Sequence, residues 1–195
     1  MYFGLEKEYR QAKLKASANL GSRVLPSNLE VALELDALAE ETEGCARTKR
    51  LTQMRQEASE IMKPLKACHP VLIGSVWRGT IRSASDIDIE VFSDVPEKVA
   101  EVLKNEGFKI QKTEHMTTTE HGEAVTSCHI YGESSSKTPF EVIVRPSEEV
   151  GKKRKCDTFG DEIKGLTSRQ LELLLKTNPT QQFLPVKHHS KSFSQ

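Results

Sequence analysis

Across 195 residues, 28 lysines and arginines balance 28 aspartates and glutamates, so no whole-chain basic excess advertises a nucleic-acid partner, although a local patch stays possible. Apolar residues make up 36% and charged residues 29%, the balance of an ordinary soluble protein long enough for one good-sized core. No apolar run reaches membrane-spanning length and the first residues soon become charged, so neither insertion nor export is expected.

Residues 1–66 are rich in Ala, Leu, Glu, Lys and Arg and read as helices. Ser27 and Glu30 form a capping-box pattern after Pro26, opening a helix with Leu29, Ala32, Leu33 and Ala37 at helical spacing. A second helix, about 47–63, places Leu51, Met54, Ala58, Ile61 and Met62 on one stripe, and Pro64 should end it. Both stripes are expected to pack into the core. The period then changes. Val71–Ile73 is a short apolar run stopping at Gly74, and residues 86–92 alternate as a strand. Asp94-Val95-Pro96 opens a helix to about Glu106, with Gly107 as its stop. Residues 108–112, 124–131 and 140–144 read as strands, the last two joined by the polar stretch 132–139 as a hairpin loop. A final helix is predicted over 168–176, and the polar tail from Asn178 is expected to be loosely held. Helices followed by a mixed sheet define an α+β domain with helices on one face.

The chemistry concentrates in residues 74–92. On the strand, Asp86, Asp88 and Glu90 face one way while Ile87, Ile89 and Val91 face the other. Like charges on one face are costly without a positive partner. Two carboxylates two residues apart can converge on divalent ions, and magnesium suits a site of one or two carboxylates completed by phosphate and water. Ahead of them, Gly74-Ser75 forms a small-residue turn whose backbone N–H groups can approach a phosphate, with the Ser75 hydroxyl as a further donor. The expected partner is therefore magnesium, or manganese, as two ions carrying a nucleoside triphosphate.

The pattern Gly74-Ser75-Val76-Trp77-Arg78-Gly79 followed by Ser85-Asp86-Ile87-Asp88 resembles the signature of the DNA polymerase β-type nucleotidyltransferase superfamily. Arg78-Gly79 and Ser85–Asp88 are similar to minimal nucleotidyltransferases, and Gly79-Thr80 is also similar to archaeal-type CCA-adding enzymes and oligoadenylate synthetases. The order of elements extends the likeness over about 47–146. The resemblance implies a nucleotidyltransferase-type mixed sheet with helices on one face, preceded by an N-terminal helical segment. It implies Asp86, Asp88 and a third acid, best matched by Glu141, as catalytic metal ligands, Glu141 also helping to deprotonate the acceptor. It also places Gly74, Ser75, Arg78, Gly79 and Ser85 on the nucleotide. Glu90 competes for the third place, and the family often has Asp where Glu141 stands. The implied reaction moves a nucleoside monophosphate from a triphosphate to a hydroxyl acceptor, with release of pyrophosphate. The acceptor stays open among an RNA end, a protein hydroxyl and a small molecule. The other reading is a non-catalytic nucleotide- or partner-binding module, and a second copy or a partner protein is compatible with both.

Other features read as structural. Trp77 is expected to pack rather than stack a base, Arg82 to be a solvated charge, and His115, His121 and His129 to be satisfied or surface residues. The run Lys152–Lys155 is balanced between solvated charge and an RNA contact. Cys45, Cys68, Cys128 and Cys156 have no CxxC spacing and fit reduced thiols in the cytoplasm. Neither a P-loop nor a GxSxG motif is present. The working division is 1–46, an N-terminal helical extension; 47–150, the nucleotidyltransferase core; and 151–195, a basic segment, a helix and a polar tail.

Overall fold

A computed structural model describes residues 8–120 and 123–185; His121, the first residues and the end of the tail lie outside them. Helices α1 (Tyr9–Leu20) and α2 (Asn28–Met62) come first. Ser27 caps α2 through the full capping box with Glu30, as the pattern predicts. The two predicted helices are one stretch interrupted at Gly44, whose φ of 47° and ψ of −127° leave the helical region. Arg47 ties the two halves together: its buried guanidinium pairs with Asp36 and Glu40 before the break and donates to the Ile81 carbonyl at 2.9 Å.

The halves have different jobs. Leu51, Met54, Ala58, Ile61 and Met62 are buried, as expected from their stripe. Before the break, Ala32 is buried but Leu29 and Leu33 are only half-buried and Ala37 is exposed, so that stripe does not enter the core as expected. Its surface instead borders a cleft, lined by Ala32, Leu35 and Asp36.

The remaining elements are β1 (Val71–Ile73), α3 (Gly74–Arg78), β2 (Ile87–Phe92), α4 (Pro96–Asn105), β3 (Lys109–Glu120), β4 (Glu123–Glu133), β5 (Pro139–Arg145), β6 (Leu166–Thr167) and α5 (Ser168–Thr177). They build one mixed sheet in the order β3-β4-β5-β2-β1-β6, with β2 and β5 parallel and the other neighbours antiparallel. The α+β class and the mixed sheet are as predicted. Register puts Leu72, Ile89, Val142 and Ile130 on one face, where they join Met54, Val99, Leu103 and Leu171 from three helices in a single core. Burial of each such large side chain contributes about 2 kcal/mol. Leu166, Leu171 and Leu174, all beyond residue 150, belong to that same core.

The beginning of the tail is docked rather than loose. Arg55, fully buried in α2, donates to the carbonyls of Val76, Trp77, Pro179 and Gln181 at 2.7–3.0 Å. Phe183 stacks on Trp77 with ring centroids 6.5 Å apart, and its N–H donates to the Arg78 carbonyl at 2.9 Å. Trp77 is thus a packing residue, as expected. Four carbonyls sharing one buried cation hold a segment whose composition alone reads as unstructured.

Candidate active site

The opposite face of the sheet carries the polar side chains. Strand β1 ends at Ile73, and the chain turns into α3 at Gly74, which takes φ = 68°. A Cβ at this position would lie 2.0 Å from Asp88 Oδ2, so only glycine admits the carboxylate this close to the backbone. Ser75 Oγ donates to Ser85 Oγ at 3.2 Å, and Ser85 Oγ accepts from the Arg82 N–H at 2.9 Å. These bonds close the loop between α3 and β2 and set Asp86 beside the turn.

Register brings the acids together. Asp88 on β2 is the direct partner of Ile73 on β1 and of Glu141 on the parallel strand β5. Asp86, Asp88 and Glu141 each present a carboxylate oxygen, all within 4.8 Å of one another. Burial, followed by the charges of Asp86 and Glu141, pushes the Asp88 carboxyl well above its usual range. Asp88 has no ion-pair partner among the described residues. A half-buried trio of oxygen donors with this charge conflict, next to a glycine-shaped gap, fits a hard divalent cation. Glu90 does not compete for that place: it is buried under Arg145 and Arg154, with Arg145 Nε at 2.6 Å.

A cleft of about 330 Å³ opens beside the trio, lined by Gly74, Ser75, Ser85, Asp86 and Asp88 together with Tyr9, Arg82 and Phe159. Arg78 reaches its wall, yet its guanidinium is committed. It forks onto both oxygens of Asp161 at 2.6 and 3.1 Å, donates to the Phe183 carbonyl and lies between the rings of Trp77 and Phe159. Gly79 ends α3 with φ = 77° and lines a separate cavity with Asp36, Arg47 and Gln182. Arg82, read from sequence as a solvated charge, is the half-buried cation in the cleft and has no ion-pair partner among the described residues.

Two side chains bear on Glu141: His129, expected from sequence to be satisfied or at the surface, and Tyr131, given no role there. His129 Nδ1 lies 2.5 Å from Glu141 Oε1, and its Nε2 lies 2.8 Å from Ser127 Oγ. Tyr131 sits opposite Glu141 in the β4–β5 register. Its phenol is pushed up to about 12 by burial, then by the Glu141 charge and their hydrogen bond, so it stays a proton donor at neutral pH. The signal was present in Ser127, His129 and Tyr131, alternate residues sharing one face of a strand paired with that of Glu141.

Residues 53–124 match the family model of the nucleotidyltransferase domain. This bears out the resemblance read from Gly74 to Asp88 and supports nucleotidyl transfer in general. The nucleotidyltransferase match runs from the second half of α2 to the start of β4. No curated protein matches the chain. Among solved structures, similarity is found to the GLD-2/RNP-8 complex, with 13% identity, 63% of this chain and 39% of that one covered, and a TM-score of 0.36. A cytoplasmic RNA terminal U-transferase gives 17% identity, 60% and 34% coverage and a TM-score of 0.33. The non-canonical poly(A) polymerase complex GLD-2–GLD-3 gives 14%, 65% and 42%, and 0.34. The chain thus spans well under half the length of these structures. No helix among the described residues is long and apolar enough to cross a membrane.

Proposed function

We propose that this chain is a metal-dependent nucleotidyltransferase that moves a nucleoside monophosphate from a triphosphate to a hydroxyl. The observation that carries this reading is the convergence of Asp86, Asp88 and Glu141 beside the Gly74-Ser75 turn. The three carboxylates would hold one or two magnesium or manganese ions. When bound, such ions neutralise charge on the triphosphate and favour ionisation of the acceptor hydroxyl. The backbone of the Gly74-Ser75 turn and the Ser75 hydroxyl receive phosphate oxygens, and Arg82 offsets charge on the departing pyrophosphate. Glu141, held by His129 and Tyr131, accepts the hydroxyl proton. The acceptor oxygen bonds to the α-phosphorus as the bond from that phosphorus to the bridging oxygen breaks. Positioning and charge neutralisation dominate the catalysis of such transfers.

All four cysteines are free, which supports the cytoplasmic reading. The test is incubation with each α-labelled nucleoside triphosphate, magnesium and cell extract. The parent protein should label an acceptor, and Asp86→Asn and Asp88→Asn should each cut labelling by roughly a thousandfold or more. The labelled product then distinguishes an RNA end, a protein hydroxyl and a small molecule. Undiminished labelling by either variant would remove the basis of the reading. Metal-independent nucleotide binding without any transfer would establish the binding-module alternative.

A further inference from the structure

Beyond the cleft, a second and larger groove of about 740 Å³ crosses the same polar face of the sheet over β2, β1 and β6. It includes Ile73 and Glu90, which directly follow the site along the strands: Ile73 precedes Gly74, and Glu90 is two residues, about 7 Å, from Asp88. Its floor contains Val71, Ile73 and Ile163, all half-buried apolar side chains. Lys66, Lys164 and Arg169 line it from three separate stretches of the chain. All three are exposed and have no ion-pair partner among the described residues.

Two of the three anions lining the groove are compensated, and the third, Glu172, is exposed. Glu90 is covered by Arg145 and Arg154, and Glu162 pairs with Lys153 at 3.4 Å. Arg154 Nη1 is buried without a hydrogen bond and lies 3.9 Å from Glu149 Oε2. Three members of the basic run Lys152–Lys155, unexplained by the nucleotide cleft, line this groove.

We infer that the groove seats a single-stranded nucleic acid whose terminal hydroxyl is the acceptor. The inference rests on the nucleotidyltransferase reading for the role of that hydroxyl, and on the groove alone for the ligand class. Spaced, flexible cations above an apolar floor match a chain of phosphates carrying flat bases, with Arg169 able to fork onto a phosphate. The groove reaches Ile73, the cross-strand partner of Asp88, and so ends one strand position from where an acceptor must arrive. An acidic peptide would satisfy the cations but leave the apolar floor without a matching surface.

The test is fluorescence anisotropy of a labelled single-stranded RNA of about twelve nucleotides. It is run on the full chain in EDTA without nucleotide, over a salt series. The parent should bind. Lys66→Ala/Lys164→Ala/Arg169→Ala should weaken binding at least tenfold and lower the log–log salt slope by about two to three. Lys49→Ala/Lys98→Ala/Lys104→Ala, on α2 and α4, should stay within about twofold of the parent. Thermal stabilisation by manganese and nucleotide should persist in the groove variant, excluding misfolding. No binding by the parent at about 50 mM salt, or equal loss in the control, overturns the inference. Displacement by polyglutamate of equal charge as effectively as by unlabelled RNA also overturns it, in favour of an acidic protein. Label transfer to the oligonucleotide, lost in the groove variant and kept in the control, supports the acceptor role. Failure of Asp86→Asn to reduce labelling, with groove binding as stated, counts against the metal-site reading alone.

Discussion

At Asp88 the carboxylate lies against the Gly74 backbone on one side and faces Glu141 on the other. Its carboxyl is raised by burial and by the two neighbouring acids, so the folded chain keeps a proton that the unfolded chain releases. In the absence of metal, the stability linked to this group is complete below the ordinary aspartate range. It is lost as pH rises through the raised value. Metal-free protein should therefore melt at progressively lower temperature across that interval, and Asp88→Asn should flatten the dependence and raise melting at neutral pH. Calorimetry in EDTA over a pH series reads this directly, and a flat parent profile would contradict it. His129 calls for a different measurement. It touches Glu141, not the reacting atoms, and is a positioning residue. His129→Phe should lower kcat roughly ten- to a hundredfold while leaving KM for the nucleotide nearly unchanged, and His129→Gln should restore part of the loss. Equal changes in kcat and KM would point instead to a disturbed cleft.

Helix α2 shows how a single element serves both fold and site. Its second half fills the core with Leu51, Met54, Ala58, Ile61 and Met62, and its first half walls the cleft with Leu35 and Asp36. Between the apolar positions stands Arg55, lowered to about 10 by burial and joined to four carbonyls. Arg55→Lys cannot reproduce that fork, and should cost about 2–3 kcal/mol in urea unfolding and release residues 178–183. Protease cleavage confined to the tail of the variant would register the release. The apolar stripe of α2 was legible because helical spacing repeats, and Ser27–Glu30 because a capping box is local. Arg55 was not, since a lone cation in a stripe reads as solvated until its distant carbonyl partners are known. Similarly, β3 extends to Glu120 where the pattern indicated only residues 108–112. As an edge strand largely exposed on both faces, it bears Thr, Glu, Lys and His without apolar alternation. Arg78 matched a motif by spacing, but its salt bridge to Asp161 spans 83 positions and no local pattern announces it.

At the scale of the whole chain, two sides of one sheet divide the work. Leu72, Ile89 and Val142 face the helices, and Asp88, Glu90 and Glu141 face the cleft and groove. The two aspartates and Glu141 were readable because strand alternation and a short motif place them, whereas their convergence depends on β2 and β5 being parallel neighbours in matched register. A cation entering the trio should stabilise the entire cooperative unit, because its binding free energy adds to that of folding. At a hundred times its dissociation constant this amounts to about 2.7 kcal/mol, enough to raise Tm by roughly 5–10 °C in a chain of this size. Manganese titration followed by thermal unfolding checks it, with Asp86→Asn expected to show no such rise.

The same division has a consequence for how the molecule can change over generations. Because cohesion is supplied from behind the strands, a lineage can exchange a side chain such as Ile143 in front of them and try new clientele with little risk of collapse. Gly74 is the exception: it is the seam where both concerns meet, and drift there would forfeit shape and chemistry in one step.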